Sequence, residues 1–202
     1  KLATHISASG HNVAFVGVDS SNFINSQQHK KSDTGLLHFL SVGRIVKDKG
    51  YLESLKFIEK LQMHGFEVTW TIVGEGEYSD EFKRMIRRSR LKTSVNFRGY
   101  LSGASLRKAY NEANIFIQLS ELEESFGLVY VEAGLAGLIL IGRPLGAICE
   151  RINDKNGFLY YSIDEAVRFF LDGTWKNLKT EDIILNAVND SKDTLTELIC
   201  AE

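Results

Sequence analysis

The stretch LLHFLSVGRIVKDKGYLESLKFIEKLQMHGFEVTWTIVGEG, residues 36–76, decides the fold. Leu36 to Val42 is an apolar run closed by Gly43, the pattern of a buried strand. Between Asp48 and Gly65, Leu52, Leu55, Ile58 and Leu61 recur at helical spacing, which predicts a helix capped by Asp48 and stopped by Gly65. Val68, Trp70 and Ile72 then alternate with polar residues up to Gly74, which predicts a second strand.

The same rhythm continues outward. Helices are expected at 79–92, 106–111, 128–136, 163–171 and 181–199, with strands at 95–97, 115–117, 138–141 and 158–159. Alternating strands and helices with short glycine-bearing connections imply an α/β fold: a parallel sheet with helices on both faces. Such sheets place their sites at the carboxyl ends of the strands, here the loops at 43–50, 74–78, 99–103 and 120–127. Residues 1–34 are polar, with only Val13 to Val18 resembling a strand, and read as a connector. The expected division is therefore a connector at 1–34, a binding domain at 35–172 and a helical tail at 173–202.

Composition narrows the function. The chain has 202 residues, 24 Lys+Arg against 26 Asp+Glu and a net charge of −2, which argues against a general nucleic-acid binder. Two cysteines, Cys149 and Cys200, make no disulfide framework or zinc spacing and fit a reducing compartment. The most apolar stretch, Gly127 to Gly142, contains Glu132 and is shorter than the ~20 residues of a spanning helix. The expectation is a soluble, cytoplasmic protein. Because the first residue is Lys1, the chain is also read as a piece of a longer one.

Common nucleotide motifs are missing. There is no GxxxxGK[ST], and Gly74-Glu75-Gly76 lacks the third glycine of GxGxxG. The five histidines show no metal-ligand spacing, so no metal is expected. The run KRMIRRSRLK at 83–92 holds six bases but follows Glu75, Glu77, Asp80 and Glu81, an order that complements a helix dipole without any ligand.

Two segments say more. In VGRIVKDKG, 42–50, Arg44 and Lys49 stand at a strand's carboxyl end and suit a diphosphate; solvated loop bases are the plainer alternative. In ELEESFGLVYVEAGLAG, 121–137, carboxylates meet Phe126-Gly127 and then an apolar helix. Backbone N–H groups near Gly127, Leu128 and Val129 could hold a phosphate. Glu132, about 6 Å further along the axis, has two acceptor oxygens suited to a ribose diol. Glu124 would sit on the other side of the phosphates, where a sugar could be; the alternative is that Glu123 and Glu124 merely favour the helix start and Glu132 is solvated.

The ordered series resembles the family-4 (group 1) glycosyltransferases of the GT-B fold. It comprises Gly43-Arg44…Lys49-Gly50, IVGEG at 72–76, VNFRGYL at 95–101 and ANIFIQLSELEESFG at 113–127. It continues through EAGLAG at 132–137, Gly146, Glu150 and NGFLY at 156–160, with Glu124-x7-Glu132 at its centre. FVGVDSSNF at 15–23 is similar to the family's interdomain segment. Ile139 stands where the family usually has proline, and Ala147 replaces the second glycine of a Gly-Gly pair.

The resemblance implies one half of a GT-B enzyme: the Rossmann-like, carboxyl-terminal domain that binds a nucleotide-sugar donor such as a UDP- or GDP-sugar, without metal or cofactor. It implies that Arg44, Lys49 and the Leu128 and Val129 amides hold the diphosphate beside Phe126 and Gly127. Glu132 would bind ribose, Tyr100 and Leu101 the base, and Glu124 the sugar as the catalytic carboxylate. The whole enzyme would be a retaining hexosyltransferase, with an amino-terminal acceptor domain as partner and a place at the inner membrane face if it is peripheral at all. Two rivals remain open: another GT-B enzyme, such as a nucleotide-sugar epimerase or a glycogen-synthase-like polymerase, and a non-catalytic interaction module that keeps the fold.

Overall fold

The computed structural model of the chain describes residues 4–6, 12–14, 35–124 and 126–200. Two short strands, β1 (Thr4–Ile6) and β2 (Asn12–Ala14), pair antiparallel. The rest of the proposed connector, including all of FVGVDSSNF, lies outside the described residues.

The main body alternates strand and helix: β3 (Leu36–Val42), α1 (Tyr51–Met63), β4 (Glu67–Val73), α2 (Ser79–Arg88), β5 (Val95–Gly99), α3 (Gly103–Glu112) and β6 (Ile115–Gln118). It continues with α4 (Leu128–Leu135), β7 (Ile139–Gly142), α5 (Ile148–Arg151), β8 (Gly157–Leu159), α6 (Ile163–Leu171) and α7 (Thr180–Cys200). The six strands β3 to β8 form one parallel sheet in the order β5-β4-β3-β6-β7-β8. This is the Rossmann-like order, which reverses direction between β3 and β6.

Period-two side-chain alternation divides the core between two faces. Leu37 and Phe39 of β3 pack with Phe57 and Ile58 of α1, Phe82 of α2 and Phe170 of α6. Leu40 and Val42 join the opposite cluster, with Ala109 and Tyr110 of α3, Tyr130 and Ala133 of α4 and Ile148 of α5. Helix α7 lays Ala187 on Val131 and Leu135 of α4. A side chain at Gly134 would meet the Ala187 Cβ at 2.8 Å, so the two helices touch almost backbone to backbone there. Among the described residues, no helix is long and apolar enough to cross a membrane.

The first helix starts later than its apolar spacing predicts. Lys47–Lys49 forms a 3-10 turn, Gly50 follows with φ +73°, and α1 begins at Tyr51 without a side-chain cap. Asp48 is therefore not the cap. Its carbonyl instead accepts the Glu121 amide at 2.7 Å, tying this turn to the chain leaving β6.

Polar pins hold the two strands on either side of the reversal. Asn114 accepts the His38 amide at 2.8 Å and donates to the Leu36 carbonyl at 3.1 Å. The Ser41 hydroxyl donates to the Ile117 carbonyl at 2.6 Å and accepts Trp70 Nε1 at 3.0 Å. Direct pairing of β3 with β6 covers only Phe39–Ile115 and Leu40–Phe116. Beyond Ser41 the two carboxyl ends diverge, and a crevice opens between them.

Candidate functional site

The crevice is a cleft of about 490 Å³. Val42, Gly43, Arg44 and Lys49 from the β3–α1 connection form one wall, and Gln118, Glu123 and Glu124 after β6 form the other. Phe126, Gly127, Leu128 and Val129 close it at the start of α4. Seven of the residues singled out from sequence thus meet in one place: Arg44, Lys49, Glu124, Phe126, Gly127, Leu128 and Val129.

Their chemistry is uneven. Arg44 is exposed, and its side chain makes no hydrogen bond or ion pair among the described residues. Lys49 donates to Glu124 Oε1, so the second cation is held by a carboxylate of the facing wall. Gln118 Nε2 donates to the same oxygen at 3.2 Å. The Glu124 backbone is fixed as well, because its carbonyl accepts the Ala147 amide at 3.1 Å. Ala147 sits in the right-handed helical region at φ −58°, so its methyl fits, while Gly146 supplies the left-handed residue at φ +55°.

Helix α4 follows Gly127, φ +56°, and among the described residues no side chain caps its end. The Leu128 and Val129 amides have no acceptor within their own helix, and both residues line the cleft. Helix α6 is built otherwise: the Ser162 side chain accepts the Glu165 amide and closes that end. Gly127 is also a packing requirement, since a Cβ there would come within 2.9 Å of Ile148 Cδ1.

Three of the residues singled out do not line the cleft. Glu132, one turn inside α4, is mostly buried and accepts the Tyr110 hydroxyl at 2.7 Å. Burial raises its carboxyl above the ordinary value of 4.5, and the Tyr110 hydrogen bond only partly offsets this. Tyr100 and Leu101 follow β5; Tyr100 is 76 % exposed, beside a smaller hollow of about 330 Å³ that includes Gly74, Gly76, Lys83 and Gly99. The basic run behaves as its charge order predicts: Asp80 and Glu81 open α2 and Arg87 and Arg88 end it.

Sequence reading missed Gln118, Tyr110 and Tyr130. Tyr130 is buried and donates to the Gln118 carbonyl at 2.5 Å, bracing the cleft wall from beneath. A polar residue ending the run Ile115–Ile117 is the signal that could have found Gln118.

Glu132 gives a pH prediction. Its folded carboxyl holds a proton at pH values where the unfolded chain has lost it, so stability falls as pH rises through that window. Glu132→Gln keeps an acceptor for Tyr110 and removes the titration. Urea unfolding at a series of pH values should show wild type losing ground to E132Q on going from about pH 4 to pH 7; parallel profiles would contradict this.

Residues 22–168 match the model of a protein family described as "Glycosyl transferases group 1". The chain belongs to the group 1 glycosyl transferases. A glycogen synthase of Mycobacterium tuberculosis is 30% identical over 129 residues, covering 63% of this chain and 31% of that protein. The chain thus spans about a third of that relative's length.

Solved GT-B glycosyltransferases share the fold. Anabaena Alr3699/HepE in complex with UDP-glucose superposes with a TM-score of 0.70 at 22% identity, over 90% of this chain and 53% of that one. The carboxyl-terminal domain of a group 1 family protein (LpcC) from Francisella tularensis superposes with a TM-score of 0.63 at 23% identity, over 90% and 97%. This glycosyltransferase chain therefore has the fold of a group 1 carboxyl-terminal domain, and its cleft lies at the reversal of the sheet, where ligands of such sheets bind.

Proposed function

We propose that these residues form the donor-binding domain of a retaining glycosyltransferase, which moves a hexosyl group from a nucleoside diphosphate to an acceptor hydroxyl. One observation carries the reading: Arg44, Lys49, the uncapped start of α4 and Glu124 face one cleft. The Anabaena neighbour bound to UDP-glucose supports a nucleotide-sugar donor.

When the bond between the anomeric carbon and the diphosphate breaks, negative charge grows on the departing phosphate. Arg44, Lys49 released from Glu124, and the Leu128 and Val129 amides stabilise that charge. The two cations supply the countercharge, so no resident metal is required. Glu124 orients the sugar hydroxyls. Glu132 binds the ribose, and the base lies towards Tyr100 and Leu101. The acceptor hydroxyl arrives on the face the diphosphate leaves, which retains configuration.

Calorimetric titration of the 202-residue chain with UDP, GDP and ADP tests the reading. Binding of one of them is expected, and a folded sample that binds none would overturn it. The chain spans about a third of the glycogen synthase it matches, and on this reading the acceptor is bound by a domain outside it, so no sugar transfer is expected from it alone; transfer by the pure chain would contradict that part.

A further inference from the structure

Gln118 is an expensive residue where it stands. It ends β6 between Ile117 and Leu119 and is 4 % exposed. An amide in such a place is ordinarily fully hydrogen-bonded or replaced by an apolar side chain of similar size. Among the described residues its side chain makes one bond, from Nε2 to Glu124 Oε1 at 3.2 Å. Oε1 is buried with no partner among those residues.

The orientation of the amide follows from its neighbour. A carboxylate only accepts, so the NH2 group must face Glu124 and the carbonyl must turn away. It turns towards Gly43, where a Cβ would stand 3.6 Å from Oε1. The backbone beneath it is held as well, because the Gln118 backbone carbonyl accepts the Tyr130 hydroxyl at 2.5 Å. Lys49 reaches Glu124 from the opposite wall, on a flexible side chain. The amide is therefore the rigid partner of this carboxylate.

We propose that Gln118 is the positioning residue for Glu124: its braced, buried amide fixes the carboxylate in the cleft and thereby sets how the cleft reads the sugar of the donor. This rests on the donor-cleft reading above. When a diphosphate draws Lys49 away, Gln118 keeps Glu124 in place. The unpaired Oε1 is what this costs, since turning the amide to satisfy it would set two oxygens against each other. Gln118 itself does not touch the reacting atoms.

The test compares the affinities of UDP-glucose and UDP for wild type, Q118M and Q118N. Methionine keeps the volume and removes the hydrogen bond; asparagine keeps the amide but is too short to reach. In both variants the ratio of UDP-glucose to UDP affinity should fall about tenfold, the worth of one hydrogen bond to a charged group, with UDP affinity within twofold of wild type. A simply structural Gln118 would change both ligands together. That result, or an unchanged ratio, overturns the proposal. Wild type binding neither ligand overturns the donor reading instead, and the proposal falls with it. A readout without ligand is the side-chain amide NMR signal of Gln118, assigned by its loss in Q118M. It should move in E124Q, and a signal indifferent to that change also overturns the proposal.

Discussion

Arg44→Ala is expected to weaken nucleoside diphosphate binding by about 10- to 100-fold. A charge-assisted hydrogen bond to phosphate is worth ~1.5–3 kcal/mol, and ~1.4 kcal/mol is a factor of ten. The loss should come without a change in stability, because Arg44 is exposed and holds nothing else among the described residues. Lys49→Met should weaken binding as well, yet Glu124→Gln should act the other way. In the unliganded cleft Glu124 holds Lys49, so it would compete with a bound phosphate for that cation. Removing its charge frees the cation, and a partly exposed pair worth up to ~1 kcal/mol predicts UDP binding about fivefold tighter. Calorimetry on the three variants checks the signs. Weaker UDP binding by E124Q would show that the Lys49–Glu124 pair does not oppose the ligand.

Gly50→Ala is expected to be the most damaging small substitution near the site, costing ~3–5 kcal/mol. Its φ of +73° strains any side chain. A Cβ there would also lie 1.9 Å from the Leu119 carbonyl oxygen, a backbone atom that cannot swing aside. Gly65 provides the control, with φ +89° and nothing within 4 Å, so Gly65→Ala should cost only ~1 kcal/mol. Urea unfolding of both variants separates strain from collision, and a G50A chain as stable as G65A would contradict the packing described. The consequence reaches function. Gly50 allows the turn carrying Lys49 to lie against the chain leaving β6, which is how Lys49 meets Glu124.

The fold was legible because β3 is a short apolar run closed by Gly43, β4 alternates apolar and polar residues up to Gly74, and α1 repeats leucine and isoleucine at helical spacing. The strand order was not legible. Nothing local in Ile115–Gln118 says that it inserts beside β3, yet that insertion brings Lys49 to Glu124 across 75 residues of sequence. The two cations and the α4 start were visible as residue types at a strand's end and a helix's beginning. Gln118 was hidden, because its meaning depends on burial and on a partner six residues away around a loop. Glu132 stood out by spacing, but its burial and its Tyr110 partner come from α3, which only the folded chain places beside α4. Asp48 misled for the opposite reason. It satisfies the local rule for a cap, and the close approach of Gly50 to Leu119 overrides that rule.

The proposed function puts the diphosphate of a nucleotide in the cleft between β3 and β6. An amide chemical-shift map of the 15N-labelled chain titrated with UDP tests this. The largest shifts are expected at Gly43, Arg44 and Gly127 through Val129, with their loss in R44A. Shifts centred instead on Gly74 through Ser79 and Lys83, around the smaller hollow, with the β3 and α4 signals unmoved, would contradict it.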